Sequence, residues 1–184
     1  MDTRRLTNLD AALIGLLSES PLSGYDVKQV FEETPLGHFS SSPGAIYPAL
    51  KRLERAGWIV GKLDSSHQAR PRRVYSLSRE GEEALFSWLR EPLTREELLG
   101  NGQAPVLRFS LMEGRLERRE VIAYLTDYAR LSDEYLTELE RDLVARGAGL
   151  NLHARLALEL GLRGYRLQAE WARWAIQRLR ASGR

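Results

Sequence analysis

The sequence contains no cysteine, which excludes disulfide bonds, thiolate metal sites and a cysteine nucleophile. Histidine is almost as scarce, since the chain has only His38, His67 and His153, and these are scattered without the spacing of zinc ligands. No apolar run approaches the roughly 18 residues of a membrane-spanning helix, and the N-terminal residues lack a signal-peptide cleavage pattern. We therefore expect a cytoplasmic protein without a metal ion or cofactor.

Charge is unevenly distributed, although the 184-residue chain carries a formal net charge of only +2. The segment 42–75 holds seven basic residues and two acidic ones, leaving +5 in that window. The basic residues are Lys51, Arg52, Arg55, Lys62, Arg70, Arg72 and Arg73. A local basic patch on a nearly neutral protein is typical of nucleic-acid binding, although a solvated surface explains most such clusters taken alone.

Helical periodicity dominates the first 57 residues. Apolar residues recur at helical spacing in "NLDAALIGLLSES" and again in "YDVKQVF", where Ser23 is a plausible N-cap. A third helix is expected to begin near Ser42, with Pro43 at its first position and Gly57 after its end. Pro48 conflicts with that start, because an interior proline lacks a hydrogen-bond donor. Either the first turn is irregular or the regular helix begins nearer Ala45.

After Gly57 the periodicity changes to that of strands. "WIVGKL" and "RRVYSL" are short runs rich in β-branched and aromatic residues, and the polar "DSSHQARP" separates them, which predicts a hairpin. Ser78 then resembles the N-cap of a further helix, "REGEEALFSWLREPL". The order of three helices, two strands and a helix is that of a winged helix-turn-helix. The pattern predicts a mainly α fold with a small β-hairpin wing.

We expect a winged helix-turn-helix domain over residues 1–91, a linker with short helical pieces over 92–114, and a helical dimerisation domain over 115–184. The last helical segment carries two apolar stripes, and a helix that is apolar on two sides is buried on two sides. One stripe comprises Leu152, Leu156, Leu160, Leu167, Trp171 and Trp174, and the other Leu158, Leu162, Tyr165, Ala169, Ala172, Ile176 and Leu179. A second copy of the chain would cover the remaining stripe and form a homodimer; alternatively, the winged domain folds back onto it.

The third helix is the candidate for DNA contact. If Ile46, Leu50 and Leu53 face inward, Tyr47 and Lys51 face outward, and a helix of this kind fits the major groove of B-DNA. We expect base contacts from Tyr47 and Lys51. Contacts with the DNA backbone are expected from Ser41, Ser42 and Arg52, with Tyr25 contributing from the second helix, and wing contacts from Arg70, Arg72 and Arg73.

Three linked segments resemble the PadR-like (phenolic acid decarboxylase regulator) family of transcriptional regulators over roughly residues 9–89. They are "LIGLL" followed by "SGYDV", then "SPGAIYPALKRLERAGWI", then "RPRRVYSLSREGEEAL". Gly24 and Tyr25 match the pair that opens the family's second helix. The recognition-helix motif matches Gly44, Ile46, Tyr47 and Pro48, and the end of the wing matches Arg72, Arg73, Tyr75 and Leu77.

The resemblance implies a homodimeric winged-helix repressor that binds an operator in double-stranded DNA, with a C-terminal region of several helices that forms the dimer. It also implies that Pro48 is tolerated in the recognition helix. Some members of this family resemble sensors that hold flat aromatic ligands between subunits. By that resemblance Trp88, Trp171 and Trp174 are candidates for an effector pocket, although aromatic residues at helical spacing more often form a core.

Two functions from different classes therefore remain. The first is a sequence-specific DNA-binding transcriptional repressor, released by a small aromatic effector or another signal. The alternative is a winged-helix module that binds other proteins and never contacts DNA, which an apolar outward face on the third helix would favour. We do not expect an enzyme, because the sequence contains no nucleophile motif, phosphate-binding loop or carboxylate pair in a recognisable setting.

Overall fold

The computed structural model describes residues 6–39, 43–64, 72–100, 103–146 and 149–182. The chain forms two compact units, Met1–Glu91 and Pro92–Arg184. The first is a winged helix-turn-helix and the second is entirely helical in its described parts, so the predicted mainly α fold with a small wing is confirmed. Within the described ranges, none of the helices combines the length and the apolar content that a membrane crossing requires.

Two capping boxes define the first helices of the winged unit. Helix α1 spans Asn8–Glu19, and Thr7 and Asp10 bond reciprocally at its start. Helix α2 spans Gly24–Glu33, where Ser23, the predicted N-cap, and Asp26 make the same arrangement. Each box satisfies N–H groups that the first turn of a helix leaves without partners.

Helix α3 begins later than the predicted start near Ser42. Residues Pro43–Ala45 form a 3₁₀ turn, and the α-helix spans Ile46–Arg55. Pro48 is therefore its third residue, where the missing N–H belongs to the first turn and would have no helical partner. The conflict noted in the sequence is resolved by an irregular lead-in and a late start. Gly57 follows the helix with φ of 75°, a conformation that favours glycine.

The predicted hairpin consists of β2, Ile59–Asp64, and β3, Arg72–Leu77, which pair antiparallel from Ile59 opposite Leu77 to Asp64 opposite Arg72. A third strand, β1, spans Leu22–Ser23 and pairs with the other side of β3. The strand order is β1-β3-β2. Consequently β3 lies in the centre of the sheet and ties α2 to the wing.

Helix α4 spans Arg79–Arg90 and is capped by Ser78, whose hydroxyl accepts a hydrogen bond from the Gly81 N–H at 3.0 Å. A Cβ at Gly81 would overlap with the backbone carbonyl of Trp58, so the close approach of α4 to the start of β2 requires glycine there. The apolar core of the unit includes Leu13, Ile14, Leu17, Val27, Phe31, Ile46, Leu50, Leu53, Ile59, Leu85 and Leu89.

In its described residues the second unit contains four helices: α5, Arg95–Gly100; α6, Ala104–Ser110; α7, Arg118–Arg146; and α8, Leu152–Ala181. Helices α5 and α6 lie in the segment 92–114, which the sequence indicated as a linker with short helical pieces. Helices α7 and α8 run antiparallel, because Asp133 pairs with Arg173 while Glu140, farther along α7, pairs with Arg166.

An aromatic cluster connects α6, α7 and α8. Trp171 packs edge-on against Phe109, with ring centroids 5.4 Å apart, and against Tyr128 at 6.1 Å. Burial raises the pKa of Tyr128 to about 12. The rings thus fill the space between three helices.

Candidate nucleic-acid interface

The outward face of α3 is basic and aromatic. Tyr47, Lys51 and Arg55 recur every four residues, so they share one side of the helix, and all three are exposed. Tyr47 has 45% of its surface accessible. On the opposite side of α3, Ile46, Ala49, Leu50 and Leu53 are buried. The predicted division of this helix between a core face and an open face is therefore present.

Lys51 lies near the middle of the open face, one turn after Tyr47. Among the described residues its ammonium group has no ion-pair or hydrogen-bond partner. A free ammonium on the exposed side of a helix can approach base edges or phosphate oxygens without first breaking an internal contact.

Two tyrosines lie at the start of α2: Tyr25 belongs to its first turn, and Tyr47 approaches it from α3. Tyr25 is 65% exposed. The Tyr47 ring lies close against Gly24, where an added Cβ would come within 2.7 Å of Tyr47 Cε1. A larger residue at this position would therefore displace the ring from α2, so Gly24 helps to set the direction of the Tyr47 side chain.

Arg52 has a structural contact that the sequence did not indicate. Its Nη2 donates to Asp10 Oδ1 at 2.5 Å, and Asp10 is 3% exposed. The same carboxylate belongs to the capping box of α1, where its other oxygen accepts from the Thr7 hydroxyl at 2.8 Å. Arg52 therefore joins α3 to α1, and a DNA contact from this side chain stays a prediction.

Arg72 and Arg73 extend from β3 beside carboxylates. Arg72 lies 3.4 Å from Asp64 and 3.7 Å from Asp26, as measured between nitrogen and oxygen atoms. The Ser23 hydroxyl, which donates to Asp26, lowers the pKa of Asp26, and the charge of Arg72 lowers it further. Both arginines remain exposed, with 46% and 51% of the Arg72 and Arg73 side chains accessible.

Glu54, on the flank of α3, holds Arg73. Its Oε1 accepts from Arg73 Nη2 at 2.5 Å and from the Gly61 N–H at 3.0 Å. The hydrogen bond to Glu54 raises the pKa of the Arg73 guanidinium, and burial together with the Glu54 charge raises the pKa of Tyr75. Glu54 is one of the two acidic residues in the segment 42–75, and no local pattern predicts its contacts, because its partners lie 7 and 19 residues away.

Other predicted site residues are spread over the chain. Ser41, Ser42 and Arg70 lie outside the described residues. Trp88 is buried in the winged unit, whereas Trp171 packs in the aromatic cluster of the helical unit. Trp174 is 53% exposed, and the Arg178 guanidinium lies 5.4 Å from its ring centroid. Of these three candidate tryptophans, Trp174 alone presents a large accessible surface.

Comparison with known proteins points to the same segment. Residues 13–87 match the profile of the transcriptional regulator PadR-like family. Over 82 residues the chain is 37% identical to the negative transcriptional regulator PadR of Bacillus subtilis. This segment, which is less than half of the chain, is similar to the PadR-like family of transcriptional regulators. The aligned part covers 44% of this chain and 44% of the B. subtilis protein, so the sequence match spans less than half the length of that relative.

Solved structures of PadR-like proteins are similar over most of the chain. Bacillus subtilis PadR in complex with operator DNA is 24% identical, covers 96% of this chain and 99% of that one, and has a TM-score of 0.46. The same protein in complex with p-coumaric acid gives 23% identity, 94% and 95% coverage and a TM-score of 0.43. The PadR-like regulator BC1756 from Bacillus cereus gives 24% identity, 95% and 99% coverage and a TM-score of 0.41.

Proposed function

We propose that this PadR-like regulator binds an operator in double-stranded DNA and represses transcription by occluding a promoter. The observation that carries the proposal is the open face of α3, with Tyr47 exposed and Lys51 free of partners among the described residues. In this arrangement α3 enters the major groove, and Tyr47 and Lys51 contact base edges. Arg72 and Arg73 contact phosphates or the adjacent minor groove.

The protein acts as a homodimer in this proposal. Helix α8 carries a stripe of exposed apolar residues, comprising Leu152, Leu156, Leu160, Leu167 and Trp174. A second copy of the chain is the occupant that best fits the proposed function, because a two-fold dimer presents two recognition helices to two half-sites. For a dimer of this kind the half-sites lie about one helical turn of DNA apart, roughly 34 Å.

Substitution of Lys51 tests the DNA-binding proposal. Genomic fragments retained by the wild-type protein supply the operator probe. Lys51→Ala should weaken operator binding by about 1–3 kcal/mol and relax the preference at one base step, because a base contact is lost. The measurement is a titration of the operator and of operator variants at two salt concentrations.

Arg79→Ala is the matched control for this titration. Arg79 is a strongly exposed cation at the start of α4, paired with Glu83, so its removal changes the net charge equally without altering the face of α3. Equal affinities for the wild type and both variants would contradict the assignment of Lys51. If no genomic fragment were retained at all, the alternative of a protein-binding module would replace the proposal.

We propose further that a small aromatic effector releases the DNA. Trp174 and Arg178 place an indole beside a cation on the stripe that the second copy would cover, so in the proposed dimer the effector binds between the subunits. An indole beside a cation suits a planar aromatic carboxylate. With p-coumaric acid as the probe, the wild-type complex with DNA should dissociate in a titration, whereas the Trp174→Ala complex should persist. Dissociation of both complexes at the same concentration would contradict a role for Trp174 and leave Trp88 and Trp171 as the remaining aromatic candidates.

A further inference from the structure

One carboxylate joins three elements of the winged unit. Glu54 belongs to α3, and its Oε1 accepts hydrogen bonds from the backbone of β2 at Gly61 and from the side chain of Arg73 on β3. Arg73 also lies beside the Tyr75 ring, with its Cζ 6.0 Å from the centroid. The recognition helix and both long strands of the wing therefore meet at a single oxygen atom.

Gly61 makes this meeting sterically feasible. A Cβ at this position would overlap with Arg73 Nε and would lie 2.5 Å from Glu54 Oε1 and 3.0 Å from Tyr75 Cε1. The polar atoms that such a Cβ would displace are the ends of two flexible side chains, not backbone. An alanine at Gly61 would consequently separate the Glu54–Arg73 pair at little cost to the rest of the fold.

We propose that Glu54 is a positioning residue, which holds Arg73 beside the exposed face of α3 so that helix and wing contact one duplex together. This inference rests on the proposed DNA-binding function. A guanidinium has five N–H donors, and in the structure Glu54 binds Nη2 of Arg73. With half of the Arg73 side chain exposed, donors remain to bind a phosphate while the carboxylate keeps the side chain in place.

A competing role of the same carboxylate predicts the opposite effect on DNA binding. As an acid beside a DNA-binding arginine, Glu54 could compete with phosphate, and its removal would then tighten DNA binding. The additional bond to the Gly61 backbone favours positioning, because a group that must release Arg73 on binding has no need to be fixed to β2 itself. The two roles predict changes of opposite sign in DNA affinity.

The first measurement requires no DNA. Amide hydrogen exchange at Gly61 should become at least about tenfold faster in Glu54→Ala, because the amide loses its acceptor. Glu83→Ala is the matched control, since it removes a glutamate that also pairs with an arginine in the same unit. Unchanged exchange at Gly61 in Glu54→Ala would overturn the inference, even if the wild-type protein bound no DNA and the proposed function had failed.

The second measurement is a double-mutant cycle on operator binding. Glu54→Ala and Gly61→Ala should each weaken binding by about tenfold and lower the salt dependence by about one phosphate contact, whereas Glu83→Ala should not. In an Arg73→Ala background, neither substitution should weaken binding by more than about twofold, because Glu54 acts through Arg73.

Each other outcome of the cycle argues against the inference. Tighter binding by Glu54→Ala would identify the carboxylate as a competitor of phosphate. Equal weakening with and without Arg73 would identify a general structural role. Gly61→Ala retains every charge, so normal operator binding by this variant would show that the position of Arg73 is irrelevant.

Discussion

Glu97→Gln should destabilise the helical unit by about 3 kcal/mol, because it removes the carboxylate that faces a buried guanidinium. Arg108 is 1% exposed, and its Nη2 lies 2.5 Å from Glu97 Oε1. Its Cζ also lies 5.9 Å from the centroid of the Tyr124 ring. A buried cation that loses its opposing charge keeps the cost of desolvation and loses the electrostatic attraction that offset it.

The two partners are not equivalent, which makes the prediction specific. The Glu97 side chain is 22% exposed, so water can solvate it when Arg108 is replaced. Arg108→Met should therefore cost less than Glu97→Gln. The double substitution Glu97→Gln with Arg108→Met should be more stable than Glu97→Gln alone, since no buried charge remains.

Urea unfolding followed by tryptophan fluorescence measures these differences, because Trp171 packs against Phe109, the residue after Arg108. Glu96→Gln is the matched control, as Glu96 is an exposed acid beside Glu97 on the same helix. In the wild type the Thr94 N–H donates a hydrogen bond to Glu97 Oε2 at 3.1 Å. Glutamine at position 97 retains a side-chain oxygen that can accept this bond. If both glutamine variants unfolded at the same urea concentration as wild type, the buried pair would carry no stability.

The winged fold could be predicted because its local signals agree with one another. The N-caps Ser23 and Ser78, the glycine after α3 and the change of periodicity at residue 57 are all short-range features. Strand β1 could not be predicted, because two residues are too few to show an alternating pattern. It exists through its pairing with β3, a contact about 52 residues away that no local signal encodes.

Only part of the candidate site could be predicted from the sequence, for the same reason. Helical spacing alone predicts that Tyr47 and Lys51 share an open face. The carboxylates that orient the arginines come from distant segments: Asp10 reaches Arg52 across 42 residues, and Glu54 reaches Arg73 across 19. A count of charges over residues 42–75 treats Glu54 as neutralising the patch and leaves Asp10 out, whereas in the structure each of these acids binds an arginine of the patch.

Replacing leucines in the exposed stripe of α8 with glutamate should have the largest effect on dimer formation. Leu156 is 57% and Leu160 73% exposed, while Leu162, Ala169 and Ala172 on the other stripe are buried. No residue between 150 and 161 is fully buried in the described part of the chain. Val144, near the end of α7, is 87% exposed as well.

In a two-fold dimer every substitution occurs twice, so Leu156→Glu with Leu160→Glu would remove four leucines from the interface. Burial of one leucine contributes about 1.5–3 kcal/mol. The dissociation constant should therefore increase at least about a thousandfold, which corresponds to about 4 kcal/mol. Sedimentation at micromolar concentration should show a dimer for the wild type and a monomer for the double variant.

Ala157→Glu is the control for this experiment, because it adds an acid to the same helix about 100° away from Leu156. The Ala157→Glu variant should sediment as the wild type does. Operator binding then separates the two parts of the proposal, which are DNA contact by the winged unit and dimer formation through α8. A monomeric variant keeps its winged unit but contacts one half-site, so its operator affinity should fall while binding to an isolated half-site persists. If the wild-type protein sediments as a monomer, a second copy of the chain does not cover the stripe. The open face of α3 would then bind DNA at a single site.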